Sequence, residues 1–205
     1  MQTERLSAEA PESISHAIDV LDQGGVVAFP TDTVYGLGVP AFKTESIDRL
    51  YSIKGREHTK AIAILISSPE ELERVAENPS EDALHLARRF WPGPLTLVVP
   101  RKADVPKMLS HGPTIGVRVP DHEFARQLLA AAGPMAVTSA NLSGQANTRN
   151  ADEVLLQLEG RIHLILDGGQ TPGDTPSTVV EMMGKRPKIL RQGPVTEPEI
   201  LATLL

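Results

Sequence analysis

The chain contains no cysteine. Disulfides, thiolate metal sites and a cysteine nucleophile are therefore all excluded. Aromatic residues are scarce at 3%: one Trp, two Tyr and four Phe. Val, Ile, Leu and Ala must build the core, and a base-stacking platform for single-stranded RNA is disfavoured. A basic excess is also missing: 20 Lys plus Arg against 26 Asp plus Glu give a formal charge of −6. Proteins that grip long nucleic acids need cations spread over the contact surface, so this chain can hold an anion only in a local basic pocket. No apolar run approaches the ~20 residues that span a bilayer, so no membrane partner is expected. Residues 1–13 are polar, with no apolar stretch and one Arg, unlike a secretory signal or a transit peptide. The expected location is the cytoplasm.

What is present suits one folded unit. The chain has 205 residues, 40% hydrophobic and 22% charged, a globular composition. The 17 Pro and 16 Gly are dispersed, with no repeat and no linker. The expectation is a single domain over 1–205, with residues 1–11 as a flexible arm. Apolar spacing predicts a helix over 14–21, closed by Gly24-Gly25. Others are expected from Thr44 and over 81–90, 123–132, 151–158 and 197–204. Ser68-Pro69-Glu70-Glu71 looks like one more helix start, as do Asn150 with Glu153 and Thr196 with Glu199. Short apolar runs predict strands at 26–29, 61–66, 95–99, 115–119, 135–138, 164–166, 178–182 and 189–190. Strands and helices interleave to the end, which implies an α/β fold with helices on the faces of a twisted sheet. Strands crowd together near 95–119 and 164–190, so the sheet should be mixed.

Generic nucleotide and metal signatures are missing. There is no Walker-type loop, no His-Glu-x-x-His and no Gly-x-Ser-x-Gly, and the six His lack ligand spacing. No protein metal site is expected. Four segments stand out instead. Pro30-Thr31-Asp32-Thr33-Val34-Tyr35-Gly36-Leu37-Gly38 follows a strand and precedes a helix, where α/β sheets place ligands. An ordinary turn capped by Thr and Asp fits it equally well. Lys54-Gly55-Arg56 with Lys60 gathers three cations suited to polyphosphate or carboxylate, although Lys54 alone could serve a helix C-terminus. Thr138-Ser139-Ala140-Asn141-Leu142-Ser143-Gly144 offers hydroxyls, an amide and backbone N–H groups to phosphate or ribose, or is a plain polar loop. Ser177-Thr178-Val179 and Leu190-Arg191-Gln192-Gly193 are strands with polar ends. Arg118, between Val117 and Val119, requires an anion if buried. An internal carboxylate and a ligand carboxylate both satisfy that requirement.

Together with Trp91-Pro92-Gly93-Pro94-Leu95-Thr96 and Val117-Arg118-Val119-Pro120, these segments resemble the YrdC-like threonylcarbamoyl-AMP synthase family, in family order over residues 12–195. The resemblance implies a twisted α/β sheet with a large basic cavity. It implies synthesis of L-threonylcarbamoyl-AMP from L-threonine, bicarbonate or CO2, and ATP with Mg2+, with release of pyrophosphate. The product serves modification of the tRNA adenosine beside the anticodon, which makes a downstream transferase complex and a weak tRNA contact the further partners. By motif position, Thr33 and Arg118 are expected on threonine, with Thr138 and Ser177 where the substrates meet. Lys54 and Arg56 take the catalytic roles; Arg56 and Lys60 face the triphosphate; Thr114, Ser139, Asn141 and Arg191 line the nucleotide side. Glu57, Ala61-Ile62 and Leu65 depart from the usual pattern. An RNA-binding or ribosome-assembly module using the same cavity is the alternative, and a carbamoyl phosphate-handling relative is a second.

Overall fold

The structure, a computed structural model, describes residues 2–172, 175–184 and 186–205. In chain order its elements are β1 (Glu4–Ser7), α1 (Ser13–Asp22), β2 (Val27–Phe29), β3 (Gly36–Pro40), α2 (Thr44–Lys54), β4 (Ala63–Leu65), α3 (Glu81–Phe90), β5 (Leu95–Pro100), β6 (Thr114–Arg118), α4 (Glu123–Ala132), β7 (Met135–Ser139), α5 (Ala151–Leu158), β8 (Leu164–Asp167), β9 (Thr178–Glu181), β10 (Lys188–Arg191) and α6 (Glu197–Thr203). The strands form one ten-stranded sheet in the order β1-β8-β2-β3-β7-β4-β6-β5-β9-β10. Four of its pairings are parallel and five antiparallel, so the sheet is mixed, as expected. Among the described residues no helix is long and apolar enough to cross a membrane.

Capping chemistry sets several boundaries. The Asn150 side chain accepts from the Glu153 N–H at 2.8 Å and starts α5. Thr196 and Glu199 form a reciprocal capping box at α6. α2 ends on Gly55 at φ +57°, a left-handed position that glycine adopts without steric cost.

Three expectations need correction. Residues 1–11 are not a flexible arm. Met1 lies outside the described residues, but Glu4–Ser7 run parallel to β8 as an edge strand. Arg5 binds Asp167 at 2.6 Å and Asp152 at 2.7 Å, and the Thr3 hydroxyl donates to the Ile162 carbonyl at 2.8 Å. An edge strand can be polar because its outer side meets water, and this hides it from hydrophobic patterning. The helix expected from Ser68 is only a 3-10 stretch over Pro69–Arg74. Glu71 does reach back, but it takes the Ser67 N–H and hydroxyl, and the chain turns away after one tight coil. The segment after Phe29 is not all loop, because its second half is β3. A Cβ at Gly38 would lie 2.8 Å from the Met135 side chain and 3.0 Å from Phe29, so the glycine makes room for neighbours from both adjoining strands.

The two faces of the sheet are covered unequally. One carries α2, α3, α5 and α6, packed on Leu37, Ile64, Leu95, Leu97, Val99, Ile115, Val117 and Val180. The other carries only α1 and α4, whose Ala17, Leu21, Ala125, Leu128 and Leu129 pack on Val27, Phe29, Met135, Leu164 and Leu166. Over β6, β5 and β9 that second face has no helix. The alternate residues there are Thr114, Gly116, Arg118, Thr96, Val98, Val179 and Glu181, and they form the floor of a cavity.

Two neighbours on β5 test this sidedness. Leu97→Ala should cost about 2–5 kcal/mol as a core truncation. Val98→Ala, facing the cavity, should cost less than about 1.5 kcal/mol. Urea unfolding of both variants measures the difference, and equal losses would contradict the assignment of faces.

Candidate active site

The uncovered part of the sheet forms a cavity of about 440 Å³. Three arginines from distant parts of the chain reach it: Arg56 beyond α2, Arg118 at the end of β6 and Arg191 at the end of β10. Each is fixed mainly by backbone carbonyls or neutral groups. Arg56 donates to the Lys60 carbonyl at 3.2 Å and the Ala61 carbonyl at 2.8 Å. Arg191, at the rim, donates to the Ser177 carbonyl at 2.8 and 3.0 Å and to the Ser177 hydroxyl at 3.2 Å. That hydroxyl is 2.8 Å from the Thr96 hydroxyl on the floor. Such contacts aim a guanidinium without neutralising it.

Arg118 is the exception. It is 5% exposed, and its ion pair with Asp32 at 2.5 Å supplies the anion its burial requires. Of the two partners open to it from sequence, the internal carboxylate is therefore present. Arg118 also donates to the Gly93 carbonyl at 2.9 Å and the Thr33 hydroxyl at 3.1 Å. Three of the five guanidinium N–H groups are thus engaged, and two remain for a ligand at the cavity wall. Asp32 Oδ2 is buried without a partner. Thr31 shapes this corner: its hydroxyl donates to the Val34 carbonyl at 2.6 Å and accepts from the Thr33 N–H at 3.2 Å.

Burial holds all three guanidiniums below the usual arginine range, and Asp32 pulls Arg118 the other way. Arg191 is lowered further by the charges of Arg118 and Arg56. Arginine stays protonated even so, and the mutual repulsion means that the cations share one space. An acidic chain has gathered a locally positive pocket, which is a built anion site.

Of the residues expected from sequence, Thr33, Arg56, Thr114, Arg118, Thr138, Ser139, Ser177 and Arg191 line this cavity. Lys54, Lys60 and Asn141 are not among the residues that line it. Lys54 is 2% exposed, and its ammonium donates to the carbonyls of Ser139 and Asn141. The Ser143 N–H returns a bond to the Lys54 carbonyl at 3.0 Å. Lys54 thereby ties the end of α2 to the loop after β7, and that loop supplies Ser139. Burial, helped by the Arg56 charge, pushes its pKa down to about 7. The Asn141 amide group donates to the Leu142 and Gln145 carbonyls at 2.9 and 2.8 Å, which curls the same loop. The Lys60 side chain is exposed, and it is the Lys60 carbonyl that contributes, by accepting from Arg56.

Sequence reasoning did not single out Ser110, Gly116 or Glu181 as wall residues. Strand alternation carries the signal for the last two, since Gly116 shares a side with Arg118 and Glu181 shares one with Val179.

A twisted mixed sheet with a cationic cavity on its open face defines an α/β protein built to hold a small anionic ligand. The chain belongs to the Sua5/YciO/YrdC family, described as Telomere recombination, which matches residues 19–193. It is 39% identical over 205 residues to the threonylcarbamoyl-AMP synthase of Bacillus subtilis (strain 168), covering 98% of this chain and 59% of that protein. The chain thus spans little more than half the length of that relative. The structure of Pyrococcus abyssi Sua5 complexed with L-threonine superposes with a TM-score of 0.93 at 38% identity, over 100% of this chain and 61% of that one. Escherichia coli YciO matches with a TM-score of 0.87 at 27% identity, over 97% and 98% of the two chains.

Two outcomes follow from this geometry. Asp32→Ala leaves a buried guanidinium without its counter-charge and should destabilise the fold by about 3–5 kcal/mol, with Asp32→Asn milder; chemical denaturation measures both. Lys54 gives a pH signature. Unfolded, it keeps its proton to about 10.5; folded, it releases it near 7. Between these values the unfolded chain binds more protons, so the Lys54 contribution to stability rises with pH. The unfolding free energy of the wild type minus that of Lys54→Met should increase from about pH 7 to about pH 10. A flat difference would show that the ammonium stays charged in place.

Proposed function

We propose that this chain makes L-threonylcarbamoyl-AMP from L-threonine, bicarbonate or CO2, and ATP, releasing pyrophosphate. The observation that carries the reading is the convergence of Arg56, Arg118 and Arg191 with the Thr33 and Ser177 hydroxyls on one cavity. Two kinds of anion, a carboxylate and a phosphate chain, have separate cations available there. The P. abyssi relative complexed with L-threonine supports the amino acid as one of them.

In this reading the two uncommitted N–H groups of Arg118 take the threonine carboxylate, beside the Thr33 hydroxyl. Asp32 and the Gly93 carbonyl hold the guanidinium in place for it. Thr138 and Ser177 face the junction between the substrates. Arg56 and Arg191 face the phosphates, with Thr114 and Ser139 on the nucleotide side. Lys54 and Asn141 act one layer out, by holding the loop that presents Ser139. The threonine amine loses a proton to solvent and captures CO2 as a carbamate. A carbamate oxygen then bonds to the α-phosphorus, the bond to the bridging oxygen breaks, and pyrophosphate carries away the charge. Catalysis comes from positioning and from fixed cations at the developing charge. Among the described residues no three His, Cys, Asp or Glu side chains converge, so Mg2+ would arrive with ATP and rely on phosphate oxygens and water. The product would pass to a tRNA-modifying transferase in the cytoplasm. Any direct tRNA contact would be weak on a chain of charge −6.

The test is pyrophosphate release from ATP, Mg2+ and bicarbonate. It should depend on L-threonine and not on serine, carbamoyl phosphate or RNA. Arg56→Ala and Arg191→Ala should each slow it about 10²-fold or more, and Arg118→Ala should chiefly raise the threonine KM. Release without threonine, or wild-type turnover in the triple variant, would overturn the reading.

A further inference from the structure

Glu181 is the one acidic side chain on the cavity walls among the described residues. It is the last residue of β9 and points to the same side as Val179. β9 pairs in register with β5, placing Glu181 beside Val98, and Val98 is opposite Gly116 on β6. These three residues form one row across the floor. The row falls away at its β6 end, because Gly116 has no side chain and even a Cβ there would meet Thr96 at 3.2 Å and Ala63 at 3.4 Å. Thr114 lies next along the same face of β6, and Leu190 gives an apolar flank from β10.

The arginines of the cavity stand further along the strands. Arg191 is anchored on Ser177, four residues before Glu181, or about 13 Å at ~3.3 Å per residue. Arg118 is two residues from Gly116 on its own strand. Glu181 makes no ion pair with any of the three guanidiniums, nor with Lys188, which stands directly opposite on β10. A carboxylate kept apart from four available cations is an open acceptor. It suits a ligand group that offers O–H or N–H donors at a fixed distance from an anionic tail.

We propose that Glu181 accepts the two ribose hydroxyls of the bound nucleotide and so makes the site selective for ribonucleotides. The inference rests on the nucleotide reading above and names the residue that recognises the sugar. A vicinal diol presents two donors to the two carboxylate oxygens, as acidic residues do for ribose in other nucleotide folds. The low floor at Gly116 gives the sugar room, and the chain from ribose to phosphate leads back toward Arg191.

Calorimetric titration of the full chain with ATP, 2′-deoxy-ATP, 3′-deoxy-ATP and GTP tests this without turnover. The wild type should bind each deoxy analogue about tenfold or more weakly than ATP, since a polar group built to hold a hydroxyl is left unpaired without it. Glu181→Leu should bring those ratios close to one while leaving the ATP-to-GTP ratio unchanged. Glu181→Gln, which keeps the shape and one acceptor, should reduce them in part; it carries the test if the Leu variant melts early. Unchanged deoxy ratios in the variants would overturn the inference while leaving the proposed function standing. Collapse of the ATP-to-GTP ratio instead would assign Glu181 to the base and overturn it equally. A wild-type chain that binds no ATP would overturn both.

Discussion

A ten-stranded sheet has more face than two short helices can cover, and the rest of this molecule follows from that shortfall. α1 and α4 seal one face over β8, β2, β3 and β7, and leave β6, β5 and β9 bare. Bare sheet in contact with water cannot be lined with leucine, because exposed apolar area is unfavourable. The same strands are mainly apolar on the opposite face, where the other four helices pack. Residues such as Ile115 and Val117 alternate with Thr114, Gly116 and Arg118, so one strand serves core and cavity at once.

Positive charge in such a place has to be held without being cancelled. The structure does this largely with carbonyl oxygens. Arg56 is oriented by the carbonyls of Lys60 and Ala61, and Arg191 by that of Ser177. A carbonyl dipole stabilises a cation and fixes its direction, yet leaves its full charge available to a ligand. Only Arg118, the most buried of the three cavity arginines, has a carboxylate partner, since at that depth dipoles alone would not offset desolvation. The short segments that looked like separate motifs are thus one apparatus. The Pro-Thr-Asp-Thr corner and the Trp-Pro-Gly-Pro turn both hold Arg118, and the Ser-x-Asn loop is held by Lys54.

This arrangement places a cationic cavity inside an acidic chain. The surplus carboxylates face outward or pair at the surface, as Asp152 and Asp167 do with Arg5. The cations that define the site, Arg56, Arg118 and Arg191, stand more than sixty residues from one another in the sequence. The family to which the chain belongs places it beside a B. subtilis relative that is a threonylcarbamoyl-AMP synthase and a P. abyssi relative complexed with L-threonine.

The sequence by itself determined much. Apolar spacing, glycine stops and capping pairs located all six helices and eight of the strands, because those signals act within a few residues. The motifs marked most of the cavity walls, because loops at strand ends carry polar residues that no core position needs. Only the tertiary structure decided the rest. β1 is polar and exists because β8 offers an open edge; β3 is glycine-rich and exists because Phe29 and Met135 occupy the space its side chains would take. Lysine and arginine look alike as charges in a string of letters. Which one reaches a ligand depends on what lies within hydrogen-bonding distance, and that is settled by residues remote in the chain. Lys54 therefore became a structural tie while Arg56, two residues on, became a wall of the site.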